Sequence, residues 1–316
     1  MATFPQSFGR HAMSSLPKSS GTVGGVLPVF QTPYHDDESI DFATLKTEID
    51  WLFERGADGV VMAMVSEVLR LSSDERRELA ACACEAAAGR GAAIISVGAE
   101  SSRVAEEYAR HAESVGATAL MAIPPVSIAI DEEELLRYYG RIFAATRLPL
   151  VVQDAAGYVG RPISIAAQAR LAAEFGERAL FKPEAEPLIP RLQELRAATG
   201  GTARVLEGSG GVALVESFAC GIVGSMPGAE MIDAIVALWR ALVAGDQLAV
   251  ERISGPIAAL VRLAPGLDGF LAIEKHLLVR QGIFKNEVIR GPVGYRLDEA
   301  TRLEIDRLFD GLEPVL

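Results

Sequence analysis

Two residues in this sequence combine types and spacing that propose chemistry, Lys182 and Glu184. They close the run Arg178-Ala179-Leu180-Phe181-Lys182-Pro183-Glu184, which reads as a buried β-strand. Taking an amine out of water disfavours the charged form, so a lysine ending such a strand is a candidate nucleophile toward a carbonyl carbon. Alternate residues of an extended strand share a face, which sets Glu184 on the side of Lys182. An amine and a carboxylate aimed at one small volume are the parts of a Schiff-base site with its own acid/base group. The composition strengthens this reading: of 30 lysines and arginines only five are lysines (Lys18, Lys46, Lys182, Lys275 and Lys285), so lysine is not the default surface cation here. The structural alternative has Lys182 snorkelling to solvent or to an ion pair, and Glu184 bound to an arginine.

The elements around this strand must hold the pair in place. Short apolar runs at 24–30, 58–64, 92–98, 118–124, 149–154, 178–184, 204–208 and 221–226 predict eight strands. Helical patterns intervene near 41–55, 73–89, 101–115, 131–145, 163–175, 187–199, 211–219 and 230–242. Asp131 ahead of Glu132-Glu133-Glu134 predicts a helix start, with acids at the positive end of the dipole, whereas Ser73 with Arg76 downstream is a weaker cap. Continuous apolar strands, each followed by a helix, specify a parallel sheet covered by helices, and eight such units make a closed (β/α)8 TIM barrel. A doubly wound dinucleotide fold is disfavoured, because no G-x-G-x-x-G follows the first strand. Residues 21–243 are therefore read as the barrel, 1–20 as a flexible arm, and 244–316 as a C-terminal helical extension with breaks near Pro265-Gly266 and Gly291-Pro292. Active sites in such barrels form at the C-terminal strand ends. That places Thr32-Pro33, Ser66-Glu67, Gln153-Asp154, Lys182-Glu184 and Gly208-Ser209 at one mouth.

Composition limits the partners. A net charge of −12 with no basic cluster disfavours nucleic acid, and no apolar run approaches the ~18 residues of a membrane span. Cys82, Cys84 and Cys220 give neither a disulfide framework nor zinc-ligand spacing, and His11, His35, His111 and His276 are scattered. The expectation is a cytoplasmic protein with no membrane partner, no metal and a small-molecule substrate. The arm lacks the continuous apolar core of a secretory signal, and its composition, which a transit peptide would share, is read as that of a disordered arm.

With the strand ends in view, the chain resembles the dihydrodipicolinate synthase / N-acetylneuraminate lyase family of class I aldolase-type barrels. The resemblance spans residues 24 to about 310 and rests on the order and spacing of its landmarks. These are Thr32-Pro33-Tyr34 with Ser39-Ile40-Asp41, Gly56-Ala57-Asp58-Gly59, Ser66-Glu67 with Leu71-Ser72 and Glu75-Arg76, Pro149-Leu150-Val151-Val152, the lysine strand, and Gly221-Ile222-Val223. It implies a homo-oligomer, dimer or tetramer, and an imine between Lys182 and the ketone of a 2-oxo acid with no metal or organic cofactor.

The departures narrow the expectation. Where the family carries Gly-Thr-Thr-Gly-Glu, this chain has Ala63-Met64-Val65-Ser66-Glu67, so the relay hydroxyl is missing at Val65. Val126 ends a segment that usually reads Thr-Pro-Tyr-Tyr, and the strand-five tyrosine falls on Gln153, which does not titrate. Glu184 is then the candidate acid/base, and Lys-x-Glu paired with this glutamine resembles the 2-keto-3-deoxy-L-arabonate dehydratase branch. The expected activity is dehydration of a 2-keto-3-deoxy sugar acid to 2-oxoglutarate semialdehyde. A pyruvate-dependent aldolase or synthase, and a catalytically silent 2-oxo-acid-binding barrel, remain the alternatives. Substrate-binding candidates are Val65 and Ser66 for the carboxylate, and Gln153, Gly208 and Ser209 for hydroxyls. Glu67 is read as holding its turn or a subunit contact, and Asp154 as orienting its loop.

Overall fold

The computed structural model describes residues 23–312, so the arm expected at residues 1–20 lies outside the described residues. The apolar runs form parallel strands because both of their faces are buried, one against helices and one against the barrel interior. They are β1 (Gly25–Val26), β2 (Gly59–Met62), β3 (Ala92–Ser96), β4 (Ala119–Ala122), β5 (Leu150–Asp154), β6 (Ala179–Pro183), β7 (Arg204–Glu207) and β8 (Gly224–Ser225). Their order is β1-β8-β7-β6-β5-β4-β3-β2, every pairing being parallel. Val29 bridges to both Gly228 and Val61, which joins the first strand to the eighth and the second. The expected (β/α)8 barrel is the fold. The strands are shorter than their apolar runs, above all β1 and β8, because a run stays buried beyond the stretch in which it pairs.

The helices are α1 (Phe42–Glu54), α2 (Ser73–Ala87), α3 (Ser102–Ser114), α4 (Glu132–Ala145), α5 (Ala156–Val159), α6 (Ile165–Phe175), α7 (Leu188–Ala198), α8 (Leu214–Ala219), α9 (Ile232–Ala244), α10 (Gln247–Val261), α11 (Gly266–Arg280) and α12 (Glu299–Asp310). Six of them start on a side-chain oxygen that accepts a backbone N–H of the first turn: Asp41, Ser72, Asp131, Ser164, Asp246 and Asp298. Each such cap is worth about 1 kcal/mol. The cap of α2 corrects the weak one read at Ser73: Ser72 accepts from Glu75 N at 3.2 Å while Glu75 accepts from Ser72 N at 2.8 Å. No single described helix is long and apolar enough to cross a membrane.

Val29, Val61, Ile94, Met121, Val151, Leu180, Leu206 and Met226 fill the barrel interior. A larger apolar cluster lies between the strands and the helices around them. The C-terminal region is not helix throughout, as the sequence suggested. Residues 281–298 form an irregular strap, because their polar groups are satisfied by the barrel top instead of by their own backbone. Lys285 Nζ donates to Asp41 at 2.6 Å, Asn286 to Tyr34 O at 3.1 Å, and Arg290 forks onto Glu75 at 2.8 and 3.0 Å.

Under this strap α11 delivers Lys275, which is fully buried and spends its three protons on Glu67 Oε1 (2.6 Å), Val288 O (2.7 Å) and Thr32 O (2.8 Å). Glu67 adopts a left-handed backbone (φ 56°), which is costly for a residue with a Cβ, and Lys275 and Arg290 N hold its carboxylate. Breaking a buried ion pair by removing one partner leaves the other charge uncompensated. Lys275→Met is therefore expected to lower unfolding stability by about 3–5 kcal/mol in urea titration.

Candidate active site

In β6, Leu180 faces the barrel interior, so Lys182 and Glu184, two and four residues on, point into the mouth above it. In β5, Val151 and Gln153 repeat the pattern, and Gln153 is registered opposite Lys182. This alternation brings three polar side chains together in a buried setting. Lys182 Nζ lies 2.7 Å from Glu184 Oε1, and Gln153 Nε2 donates to Glu184 Oε2 at 2.8 Å. Lys182 is 4% exposed, so its amine does not snorkel to solvent, and the ion pair it makes is with Glu184 inside the mouth. The arginine partner considered for Glu184 is absent among the described residues; its two oxygens go to Lys182 and Gln153.

Gly208 follows β7 and makes room for this group. A Cβ built on it would lie 2.5 Å from Lys182 Cε and 3.0 Å from Glu184 Oε1. The missing side chain is what permits this close approach. Ser209 Oγ accepts Ala213 N at 2.8 Å, and its own N–H donates to Glu207, so the loop after β7 is fixed from within. Asp154 does what the sequence suggested: its oxygens accept Ile163 N and Arg191, both at 2.8 Å, and so hold the β5 loop.

At the end of β2, Val65 lies in a short 3₁₀ turn (Met64–Ser66). The Ser66 hydroxyl donates to Phe30 O at 2.6 Å and accepts Ala63 N at 3.1 Å, while Ser66 N–H donates to Ala63 O at 3.0 Å. The hydroxyl and N–H of Ser66, both expected near a substrate carboxylate, thus hold the turn. Thr32 Oγ1 donates to Ser66 O at 2.6 Å and ties the same turn to β1.

Four buried residues at this end of the barrel had escaped sequence reasoning. Gln31, Glu48, Glu230 and Glu274 are each at most 5% exposed and gather where β1, β8, α1 and α11 meet. Gln31 N donates to Glu48 Oε1 at 2.9 Å, and Gln31 Nε2 donates to Glu274 Oε2. Burial drives the carboxyls toward the neutral form: those of Glu48 and Glu274 rise well above the usual range, and that of Glu230 is pushed up to about 7. Lys182 is near enough to oppose this shift at Glu274. The available signal was the acid and amine of Leu271-Ala272-Ile273-Glu274-Lys275, set in an otherwise apolar helical run.

The fold and the lysine–carboxylate pair at its mouth are those of a class I aldolase-type barrel. The dihydrodipicolinate synthetase family matches residues 22–309, and the chain belongs to it. It is 28% identical over 300 residues to L-2-keto-3-deoxyarabonate dehydratase of Azospirillum brasilense, covering 92% of this chain and 95% of that one. It is likewise 28% identical to 4-hydroxy-tetrahydrodipicolinate synthase of Acidiphilium cryptum, over 91% and 98% of the two chains. Among solved structures, dihydrodipicolinate synthase of Rhodopseudomonas palustris superposes with a TM-score of 0.84 at 24% identity, covering 93% of this chain and 99% of that one. A prophage protein of the same family from E. coli K12, solved in complex with pyruvate, gives 0.83 at 21% identity over 92% and 99%.

Two predictions follow from the geometry. Gly208→Ala should leave the circular dichroism spectrum intact and lower turnover of the enzyme's substrate at least tenfold, because the new methyl displaces Lys182. A folded-state carboxyl pKa raised above its unfolded value of about 4.5 means that the unfolded chain ionises first as pH rises. Stability relative to a Glu230→Gln variant is therefore lost between about pH 4.5 and 7 and is constant above that. Urea titrations of both proteins at pH 5 and 8 should show the variant gaining on the wild type by about 2 kcal/mol.

Proposed function

We propose that this chain is a carbon–oxygen lyase that dehydrates a 2-keto-3-deoxy sugar acid, 2-keto-3-deoxy-L-arabonate being the best-fitting substrate. The observation that carries the reading is the Lys182–Glu184–Gln153 arrangement. Glu184 is the titratable group bonded to the amine, and its other neighbour, Gln153, holds it without titrating. The dehydratase name of a relative aligned over nearly the whole chain supports the same reading.

The mechanism follows from this arrangement. Lys182 passes its ammonium proton to Glu184, and the freed amine adds to the C2 ketone. Glu184 returns the proton to the departing hydroxyl, so that water leaves and an iminium ion stands beside the Glu184 carboxylate. The iminium withdraws electrons from C3, and the Glu184 carboxylate takes a C3 proton to leave an enamine. The enamine pushes out the C4 hydroxyl, which departs as water with the proton that Glu184 carries. Loss of a C5 proton and return of a proton at C3 shift the double bond into the C4–C5 enol, which becomes an aldehyde. Hydrolysis of the imine releases 2-oxoglutarate semialdehyde and restores Lys182. The imine is itself the electron sink, so the sequence of steps calls for no organic cofactor or metal. Gln153 holds Glu184 between its two roles, and in this reading the substrate carboxylate lies against the backbone of the Val65 turn.

Retro-aldol cleavage of the same imine would need a base directed at the C4 hydroxyl proton, the task for which the family's tyrosine is missing at Gln153. Product analysis separates the two reactions. Incubation with 2-keto-3-deoxy-L-arabonate should give a five-carbon semialdehyde; pyruvate with glycolaldehyde would replace this reading by an aldolase, and unchanged substrate would leave a binding barrel. Lys182→Ala should reduce turnover to background, and Glu184→Gln should lower kcat by about 10²–10⁴-fold.

A further inference from the structure

We propose that Gln31, Glu230 and Glu274 form a second wall of the barrel mouth, which binds the uncharged, hydroxylated tail of the substrate. The inference rests on the dehydratase reading for what that tail is, and on geometry for where it goes. Val29 fills the barrel interior and bridges to Gly228, so Gly228 faces inward, as does Gln31 two residues beyond Val29. A Cβ built on Gly228 would lie 2.7 Å from Glu274 Oε1 and closer still to Glu230 Oε2. The two carboxyls thus occupy the inward side of the β8 end, across β7 from Lys182. The glycine is what admits them.

This wall has unused capacity for hydrogen bonds. Gln31 Oε1 and Glu230 Oε2 are buried and have no partner, which is costly unless something else satisfies them. Behind the wall a cavity of about 20 Å³, bounded by Gly210, Gly228, Glu230 and Glu274 on one side and by apolar residues of α10 and α11 such as Leu260, Val261 and Phe270 on the other, has room for a single hydroxyl or water. Two carboxyl groups this close cannot both hold charge cheaply, so the wall presents proton donors as well as acceptors. A hydroxyl is also both donor and acceptor, and matches it. A phosphate or carboxylate at the same place would meet a pair of acids whose nearby cations, Lys182 and Lys275, already face carboxylates of their own, Glu184 and Glu67. The sugar tail is therefore expected to be neutral, and the substrate's one anionic end to lie elsewhere in the mouth.

Borohydride trapping of the full-length protein tests this with two ligands: pyruvate, which has no tail, and 2-keto-3-deoxy-L-arabonate, which has one. Glu230→Met removes the unpartnered oxygen, and Glu274→Gln is the milder change. Both variants should trap pyruvate at a half-saturating concentration within about twofold of wild type. Glu230→Met should raise that for the sugar acid about tenfold, and Glu274→Gln should raise it less. Pyruvate trapping also reports that each variant is folded. Equal shifts for the two ligands, or no shift for either, would overturn the tail wall while leaving the imine chemistry intact. Failure of wild type to trap either ligand would overturn the imine reading and this inference with it.

Discussion

The period-two alternation of side chains along a closed parallel barrel is the constraint from which the site follows. Leu180, Val151 and Leu206 pack the interior, so the residues two positions further toward the C-terminal strand ends face the same way and meet at the mouth. Lys182, Gln153 and Gly208 are those residues, and each suits its place: an amine, an amide that steadies the carboxylate, and a gap for both. A one-residue slip of β6 would turn Lys182 into the helix layer and bring Phe181 or Pro183 to the mouth. The chemistry is thus tied to the register of one strand against its two neighbours.

The two buried lysines show how surroundings divide the same functional group between tasks. Lys275 is encased by three oxygens and locks α11 to the strained turn at Glu67. Burial still pushes its pKa down, but each of its three protons is committed to an oxygen. Lys182 has one carboxylate partner and a glycine beside its stem. Under the proposed imine chemistry, Lys182 exchanges that single ion pair for a carbon–nitrogen bond.

Much of this was legible in the sequence because local rules and the fold agree. Eight apolar runs alternating with amphipathic helices give the barrel, and strand parity puts Lys182 and Glu184 together. Gln153 was legible as a non-titrating residue at the right strand end, though the structure turns it toward Glu184. The missing parts came from long-range packing. Glu274 is 243 residues from Gln31, and nothing local announces that a C-terminal helix lends an acid to the first strand. Ser66 reads as a ligand for the carboxylate from its place in the turn after the second strand; here a carbonyl 36 residues away takes its hydroxyl proton. The strap at 281–298 was read as helix for the same reason, its partners being on the far side of the chain.

The central claim is that Lys182, and not the equally buried Lys275, is the nucleophile. The direct test is to reduce the protein with borohydride in the presence of pyruvate or the 2-keto-3-deoxy acid, digest it, and locate the added mass by peptide sequencing. The adduct should fall on the peptide carrying Lys182 alone. An adduct on Lys275, or none on either lysine at saturating ligand, would contradict the account.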